Sequence, residues 1–320
     1  MIMLHRILSG VLLPLAMASC VSADLNRLVD ATARGFSREI EDPAGHGVLK
    51  RISPAHIDVR EKYSVSPNGH FIVFSGLAAG NKTGVRNLWK IPLEGGAPIR
   101  LTSGTAHDSR SPSYTSDGHY IVYETGGKIW KIRNDGAGGR QRIPGSGTGY
   151  DVFPDVSLTN RVVFCSAEKS GNPQKYLIWT CEMDGAELTQ LREGSHPMWS
   201  PDGLKIAFEY QSDIWLINAD GTNMMQLTTT EGISEGLPSF SPSGRQIVYA
   251  SNEGPDGNPL EHDFNIWHMS RDGSEKVQFT ELYSWDSWPL WTAGAILFLS
   301  ARGSENASEN RQRIWSAELR

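Results

Sequence analysis

Little in this chain points toward reactive chemistry. Three cysteines among 320 residues are too few for a disulfide framework. Thirty Lys and Arg stand against 36 Asp and Glu, giving a net charge of −6. No basic stripe is visible, so a nucleic-acid binder, which needs one for phosphate contact, is excluded. No Gly-x-Ser-x-Gly occurs, so the nucleophile elbow of a serine hydrolase is missing. The nine histidines include His107, His196, His262 and His268, and none shows the paired spacing of a metal motif. The apolar run from Ile7 to Met17 is too short to span a bilayer as a mature helix.

What the chain does contain is turns, with 33 glycines and 17 prolines, and they recur in order. One unit reads Pro197-Met198-Trp199-Ser200-Pro201-Asp202-Gly203, then Lys205-Ile206-Ala207-Phe208, Asp213-Ile214-Trp215, Asp220-Gly221 and Gln226-Leu227-Thr228. The turn returns as Ser66-Pro67-Asn68-Gly69, Thr115-Ser116-Asp117-Gly118, Ser157-Leu158-Thr159-Asn160, Ser241-Pro242-Ser243-Gly244 and the shorter Thr292-Ala293-Gly294. The following tryptophan returns as Trp89, Trp130, Trp179, Trp215, Trp267 and Trp315. A period of roughly 40–50 residues marks a propeller array, whose repeats bury their apolar faces only against neighbours.

Each unit parses into four short strands. Alternating β-branched and aromatic residues such as Phe71-Ile72-Val73-Phe74 form the second, and the Ile-Trp segment is the third. Asp-Gly pairs (Asp135-Gly136, Asp184-Gly185, Asp220-Gly221, Asp272-Gly273) supply a tight hairpin before the fourth. The sixth unit stops at its third strand, whereas Leu49-Lys50-Arg51-Ile52-Ser53 resembles the fourth strands elsewhere. The fold expected is therefore all-β, a six-bladed β-propeller over residues 48–320 whose N-terminal strand completes the last blade. The repeated tryptophans are expected to pack blades.

Residues 1–20 read as a signal peptide: His5 and Arg6 precede the apolar run, and small residues follow. Two readings stay open, lipidation at Cys20 within a lipobox-like Ala16-Met17-Ala18-Ser19-Cys20, or ordinary cleavage after Ala18 or Ala23. Either one places the protein in the periplasm, anchored to the membrane only in the first case. Residues 21–47 form a linker in which Leu25, Leu28, Val29, Thr32, Phe36 and Ile40 have helical spacing. Cys165 and Cys181 lie on the second and third strands of blade three, and both registers considered for that hairpin put them on one face. A disulfide and two buried thiols are both open.

The candidate site comes from counting back six to eight residues from each turn serine or threonine. This gives Asp58, Asp108, Asp151, Glu193, Glu235 and Asp286. Propeller symmetry would set the six carboxylates around one mouth of the central channel, favouring a cation, a basic peptide or a polar ligand there. His196, just before Pro197, joins them as a channel residue, hydrogen-bonded or ligating a metal. No organic cofactor is expected.

The units from Trp199 to Thr228 and from Ser239 to Thr280 resemble the WD-related repeat of TolB-type propellers, and the likeness covers about residues 48 to 320. It implies a binding module of the bacterial cell envelope whose partner is a protein or peptide. TolB carries an α/β domain ahead of its propeller, which the 24 residues from Asp24 to Gly47 cannot supply. The same repeat precedes the hydrolase domain of prolyl-oligopeptidase-type peptidases, and it resembles that of oligogalacturonate lyases, in which channel histidines hold a metal. The second reading is accordingly a carbohydrate-active lyase or hydrolase working at the channel mouth.

Overall fold

Side-chain hydroxyls explain why the repeat is written as it is. In every turn joining the first and second strands, the leading serine or threonine oxygen accepts the N–H at the start of the second strand. Ser66 Oγ takes Phe71 N–H at 2.9 Å, Ser200 Oγ takes Lys205 N–H at 2.9 Å and Thr292 Oγ1 takes Ala295 N–H at 3.1 Å. Five of the six turns use a left-handed residue. Gly69, Gly118, Gly203 and Gly244 sit at φ near 70°, and Asn160 takes that conformation (φ 63°) in the repeat without glycine. A second staple explains the recurring Leu-Thr: Thr102, Thr228 and Thr280 Oγ1 accept the N–H of Leu88, Ile214 and Ile266, each at 2.9 Å.

The computed structural model describes residues 39–41, 48–147, 149–168, 175–254, 256–261, 263–280, 285–302 and 311–319. The expected leader, Cys20, His262 and most of the expected linker helix lie outside them. Five sheets have four strands and the sixth has five, arranged as six propeller blades. The innermost strands are Ile57–Val65, Ser109–Tyr114, Gly149–Val156, Ser195–Trp199, Glu235–Phe240 and Ser287–Trp291. All the described secondary structure is strand. Ile40, expected in the helix, lies instead in the strand Glu39–Glu41, at the outer edge of the last blade.

Ring closure follows the expected path. Strand Val48–Arg51 pairs antiparallel with Arg313–Glu318 in the register Leu49↔Ala317, Lys50↔Ser316, Arg51↔Trp315. Ser53 Oγ then accepts the Ile314 N–H at 2.9 Å, reproducing the Leu-Thr staple from the far end of the chain.

The core consists of six apolar clusters, one at each interface between neighbouring blades. Ile57, Tyr63 and Ile72 of blade one pack on Leu297, Leu299 and Ile314 of blade six, so the seam is as apolar as the other interfaces. This arrangement corrects the cysteine expectation. Cys165 opposes Ile178 and Cys181 opposes Val162, an odd displacement that turns the two side chains to opposite faces of the sheet. Cys165 packs toward blade four and Cys181 toward blade two. Both are buried free thiols.

The tryptophans do pack between blades, but unequally. Trp315 is fully buried beside Leu49 and Ala317, while Trp89, Trp130, Trp179, Trp215 and Trp267 are half-buried. Trp315→Ala is therefore expected to cost about 3–5 kcal/mol and Trp215→Ala about 2 kcal/mol, both read from denaturant unfolding. Equal costs would show that burial does not set the difference. A chain beginning at residue 56 loses the closing strand and should melt well below one beginning at residue 39. Matching melting curves would mean that the seam does not carry the ring.

Candidate functional site

Every innermost strand breaks register at the same level, between Val59 and Tyr63, Arg110 and Ser113, Val152 and Asp155, Ser195 and Met198, Gly236 and Ser239, and Ser287 and Leu290. In blades two to six the bulge is an X-Pro pair: Ser111-Pro112, Phe153-Pro154, His196-Pro197, Leu237-Pro238 and Trp288-Pro289. Proline is tolerated because the inner edge faces the channel and has no ladder partner to lose. The residue before it adopts φ between 47° and 57°, which turns its side chain toward the axis. Blade one has no proline there and carries Arg60-Glu61-Lys62.

These bulges plug the channel. Phe153 of blade three lies 4.3 Å from the His196 ring of blade four and 6.1 Å from Trp288 of blade six, measured between ring centroids. His196 and Trp288 meet edge-on at 5.3 Å. Lys62 crosses from blade one to donate to Pro154 O at 2.8 Å and to Asp155 Oδ1 at 2.9 Å. Asp155 also accepts Ser113 Oγ–H and the Trp199 N–H, so one buried carboxylate joins four blades with its hydrogen bonds satisfied.

The mouth at which the inner strands begin is consequently a blind cup. Glu124 and Glu209 occupy the corresponding position of the second strands in blades two and four, and Glu61 enters from the blade-one bulge. Their counter-charges are few. Arg110 lies 3.6 Å from Glu61 and gives its best bond, 2.7 Å, to Asp108. Glu209 Oε2 meets His196 Nδ1 at 3.1 Å. Burial pushes the Glu61 carboxyl up, with Arg110 and Arg86 drawing it back. Burial pushes Glu124 up to about 7, its hydrogen bond from Gly127 N–H and the charge of Arg110 opposing the shift.

The six carboxylates expected at this mouth are placed otherwise. Asp151, Glu235 and Asp286 share one position, the residue whose N–H bonds to the preceding blade, while Asp58 and Asp108 precede the corresponding residues Val59 and Ser109. Asp58, Asp151, Glu235 and Asp286 are buried, and Asp108 is nearly so. Three brace neighbouring blades. Asp58 Oδ1 accepts Gln312 N–H at 3.1 Å and Asp108 Oδ1 accepts Arg86 N–H at 2.8 Å. Lys128 stands 3.7 Å from Asp151, and Arg302 is bonded to Asp286. Glu193 falls on the outermost strand of blade three, paired with Lys175 at 3.2 Å. Asp58, Asp108 and Asp151 therefore act between blades, whereas the charge partners of Glu193, Glu235 and Asp286 lie within their own blades. Of the expected site residues His196 lines the cup, Asp108 holds its Arg110, and Glu235 stands at its margin. Glu61, Arg110, Glu124 and Glu209 escaped the sequence reading, although the X-Pro repeated in blades two to six marks the bulge level from which they are reached. Among the described residues no group of three or more His, Cys, Asp or Glu could hold a metal ion.

The model of the dipeptidyl peptidase IV N-terminal region matches residues 172–253. TolB from Acinetobacter baumannii superposes with a TM-score of 0.62 at 19% identity, over 81% of this chain and 64% of that one. The fold is a six-bladed β-propeller similar to that of TolB. Oligogalacturonate lyase from Vibrio parahaemolyticus is similar at a TM-score of 0.61 and 16% identity, covering 89% of this chain and 97% of its own. A gluconolactonase from Xanthomonas campestris gives 0.63 at 12% identity, with 89% and 95% covered. No curated protein matches the chain in sequence. Enzymes and a TolB at such identities share the architecture, which by itself selects no function.

Glu124 gives the cup a measurable signature. An acid whose folded pKa is raised from 4.5 to about 7 leaves stability intact below pH 4.5 and removes it as pH rises through 7. Glu124→Gln should therefore stabilise the protein by about 2 kcal/mol at pH 8 and by nothing near pH 4. A pH-independent difference between variant and wild type would remove the claim.

Proposed function

We propose that this chain is an exported module of the bacterial cell envelope that binds a protein partner, taking a positively charged segment of it into the cup. The observation that carries this reading is the plug. Phe153, His196 and Trp288 close the channel, so a ligand meets a blind recess in which Glu61, Glu124 and Glu209 face Arg110, Arg86 and His196. An excess of carboxylate in a recess attracts a basic group and repels an acidic one. The leader-like residues 1–20 support export, and the TolB-type fold is compatible with an envelope role.

The second reading, a lyase or hydrolase acting on carbohydrate at the same mouth, draws on Glu124 alone, whose raised carboxyl suits proton transfer near neutrality. Crosslinking separates the two. Tyr150 is 56% exposed and its ring lies against Gly127 in the loop beside Glu124. A photo-crosslinking side chain at position 150 should capture one discrete protein from envelope extracts. Capture should fail in about 0.5 M salt and in the combined Glu61→Gln, Glu124→Gln, Glu209→Gln variant. Undiminished capture by that variant would overturn the proposal. Turnover of oligosaccharides that is lost in Glu124→Gln would establish the enzyme instead.

A further inference from the structure

The channel has a second mouth, at the turns that join first to second strands. It opens there as a funnel of about 470 Å³, rimmed by the exposed Pro67, Leu158, Pro201 and Pro242 and walled in part by the half-buried Val65, Met198, Leu290 and Trp291. Among the described residues two charged side chains line it, Lys62 and Asp155, and they bond each other. Lys62 also donates to Pro154 O, and Asp155 accepts Ser113 Oγ–H and the Trp199 N–H. The funnel therefore offers a ligand no unpaired charge.

The donors at its wall are unevenly served. Each inner strand ends on the residue before the turn, and the next residue bonds across the turn to the second strand, as Ser66 N–H does to Phe71 O at 2.8 Å. Alternation along an antiparallel strand then points the N–H of the last residue at the axis. In three blades an oxygen of the preceding blade caps it. Ser64 Oγ accepts Tyr114 N–H and Ser113 Oγ accepts Val156 N–H, both at 3.2 Å, and Asp155 Oδ2 accepts Trp199 N–H at 2.9 Å. The corresponding residues of blades four, five and six are Met198, Ser239 and Leu290. The side chains of Met198 and Leu290 have no oxygen, and Ser239 makes no such bond among the described residues. The N–H groups of Phe240, Trp291 and Val65 therefore stand uncapped in the neighbouring blades five, six and one.

An N–H set in an apolar wall without an acceptor is costly, and a ligand oxygen relieves that cost. A hydrocarbon would leave all three unbonded. A cation or an anion would lose its hydration against Met198, Leu290 and Trp291 and find no unpaired counter-charge. An uncharged molecule with an apolar body and carbonyl or ether oxygens satisfies both the wall and the donors. The volume of the funnel, about 470 Å³, falls in the range of roughly 300–1,000 Å³ over which proteins hold small ligands. We propose that the funnel is a second binding site for a small molecule of this class, separate from the cup and independent of the protein-binding reading of it.

The test uses protein labelled with 5-fluorotryptophan, in which the Trp291 fluorine signal is assigned by its loss in Trp291→Phe. The probe is 6-propionyl-2-dimethylaminonaphthalene, which is uncharged and carries one ketone. The controls are the same ring without the ketone and the same ring with a carboxylate in its place. The probe should shift the Trp291 signal saturably, and both controls should bind at least about tenfold more weakly. Met198→Ser combined with Leu290→Ser supplies the missing caps and should weaken the probe at least about tenfold. Met198→Leu combined with Leu290→Met keeps the wall apolar and the N–H groups uncapped, and should bind the probe as the wild type does. No shift of the Trp291 signal, a control that binds as tightly as the probe, unchanged affinity in the serine variant, or equal loss in the two double variants would overturn the assignment. So would a probe affinity that falls in the combined Glu61→Gln, Glu124→Gln, Glu209→Gln variant, since that would place the probe in the cup.

Discussion

Everything in this molecule depends on a short strand from one end of the chain bonding to the strand at the other. Leu49, Lys50 and Arg51 pair with Ala317, Ser316 and Trp315, and Ser53 caps the Ile314 N–H. Blades cannot bury their faces alone, so each of the six apolar clusters exists only while both flanking sheets are held in the ring. The seam cluster, with Ile57 and Tyr63 against Leu297 and Ile314, is linked by the chain only through residues 52–56, which lead from the closing strand into blade one. Three backbone pairs and one hydroxyl do that work, and the burial of Trp315 is its local consequence.

A closed ring then fixes the channel. Because the inner strands have no partner on their axial edge, each can bulge without losing a ladder bond, and all six do so at one level. Five bulges carry proline and present Ser111, Phe153, His196, Leu237 and Trp288. The sixth presents charge. Lys62 is drawn down to Asp155, and Glu61 is left facing Arg110 above the aromatic layer. Plug and cup are thus two sides of the same irregularity.

Much of the fold was legible because it is written in local chemistry. Serine or threonine before a turn, asparagine or glycine at its left-handed position, and Leu-Thr at the fourth strand each make a hydrogen bond within one or two strands. The closing strand was legible for the same reason, since Ile52-Ser53 repeats the Leu-Thr pattern. Face assignment was not legible, because it turns on register. A displacement of one residue sends Cys165 and Cys181 to opposite faces, and the hairpin between them gives no turn signal strong enough to set the parity. The leading carboxylates suffered similarly: an offset of six to eight residues spans both the strand position of Asp151 and the outer-strand position of Glu193.

That error has a general physical origin. Six acids at nearly one offset were taken as a site because they recur, yet recurrence in a propeller is what packing produces. Every blade must be tied to the last, so the same group is needed at the same place, as Asp58 on the Gln312 N–H and Asp108 on the Arg86 N–H show. A ligand sees the ring from one side and in one orientation, and six equivalent groups give it no reason to choose. Specificity requires that the symmetry be broken. The departures at the cup are few: a charged bulge in blade one, glutamates opposite the bulge on the second strands of blades two and four, a glycine at position 236 that admits Glu209, and a tryptophan at 285 outside the repeat. They converge on one mouth. In a repeat protein the motif reports how the blades hold together, and the exceptions to it report what the assembled ring can recognise.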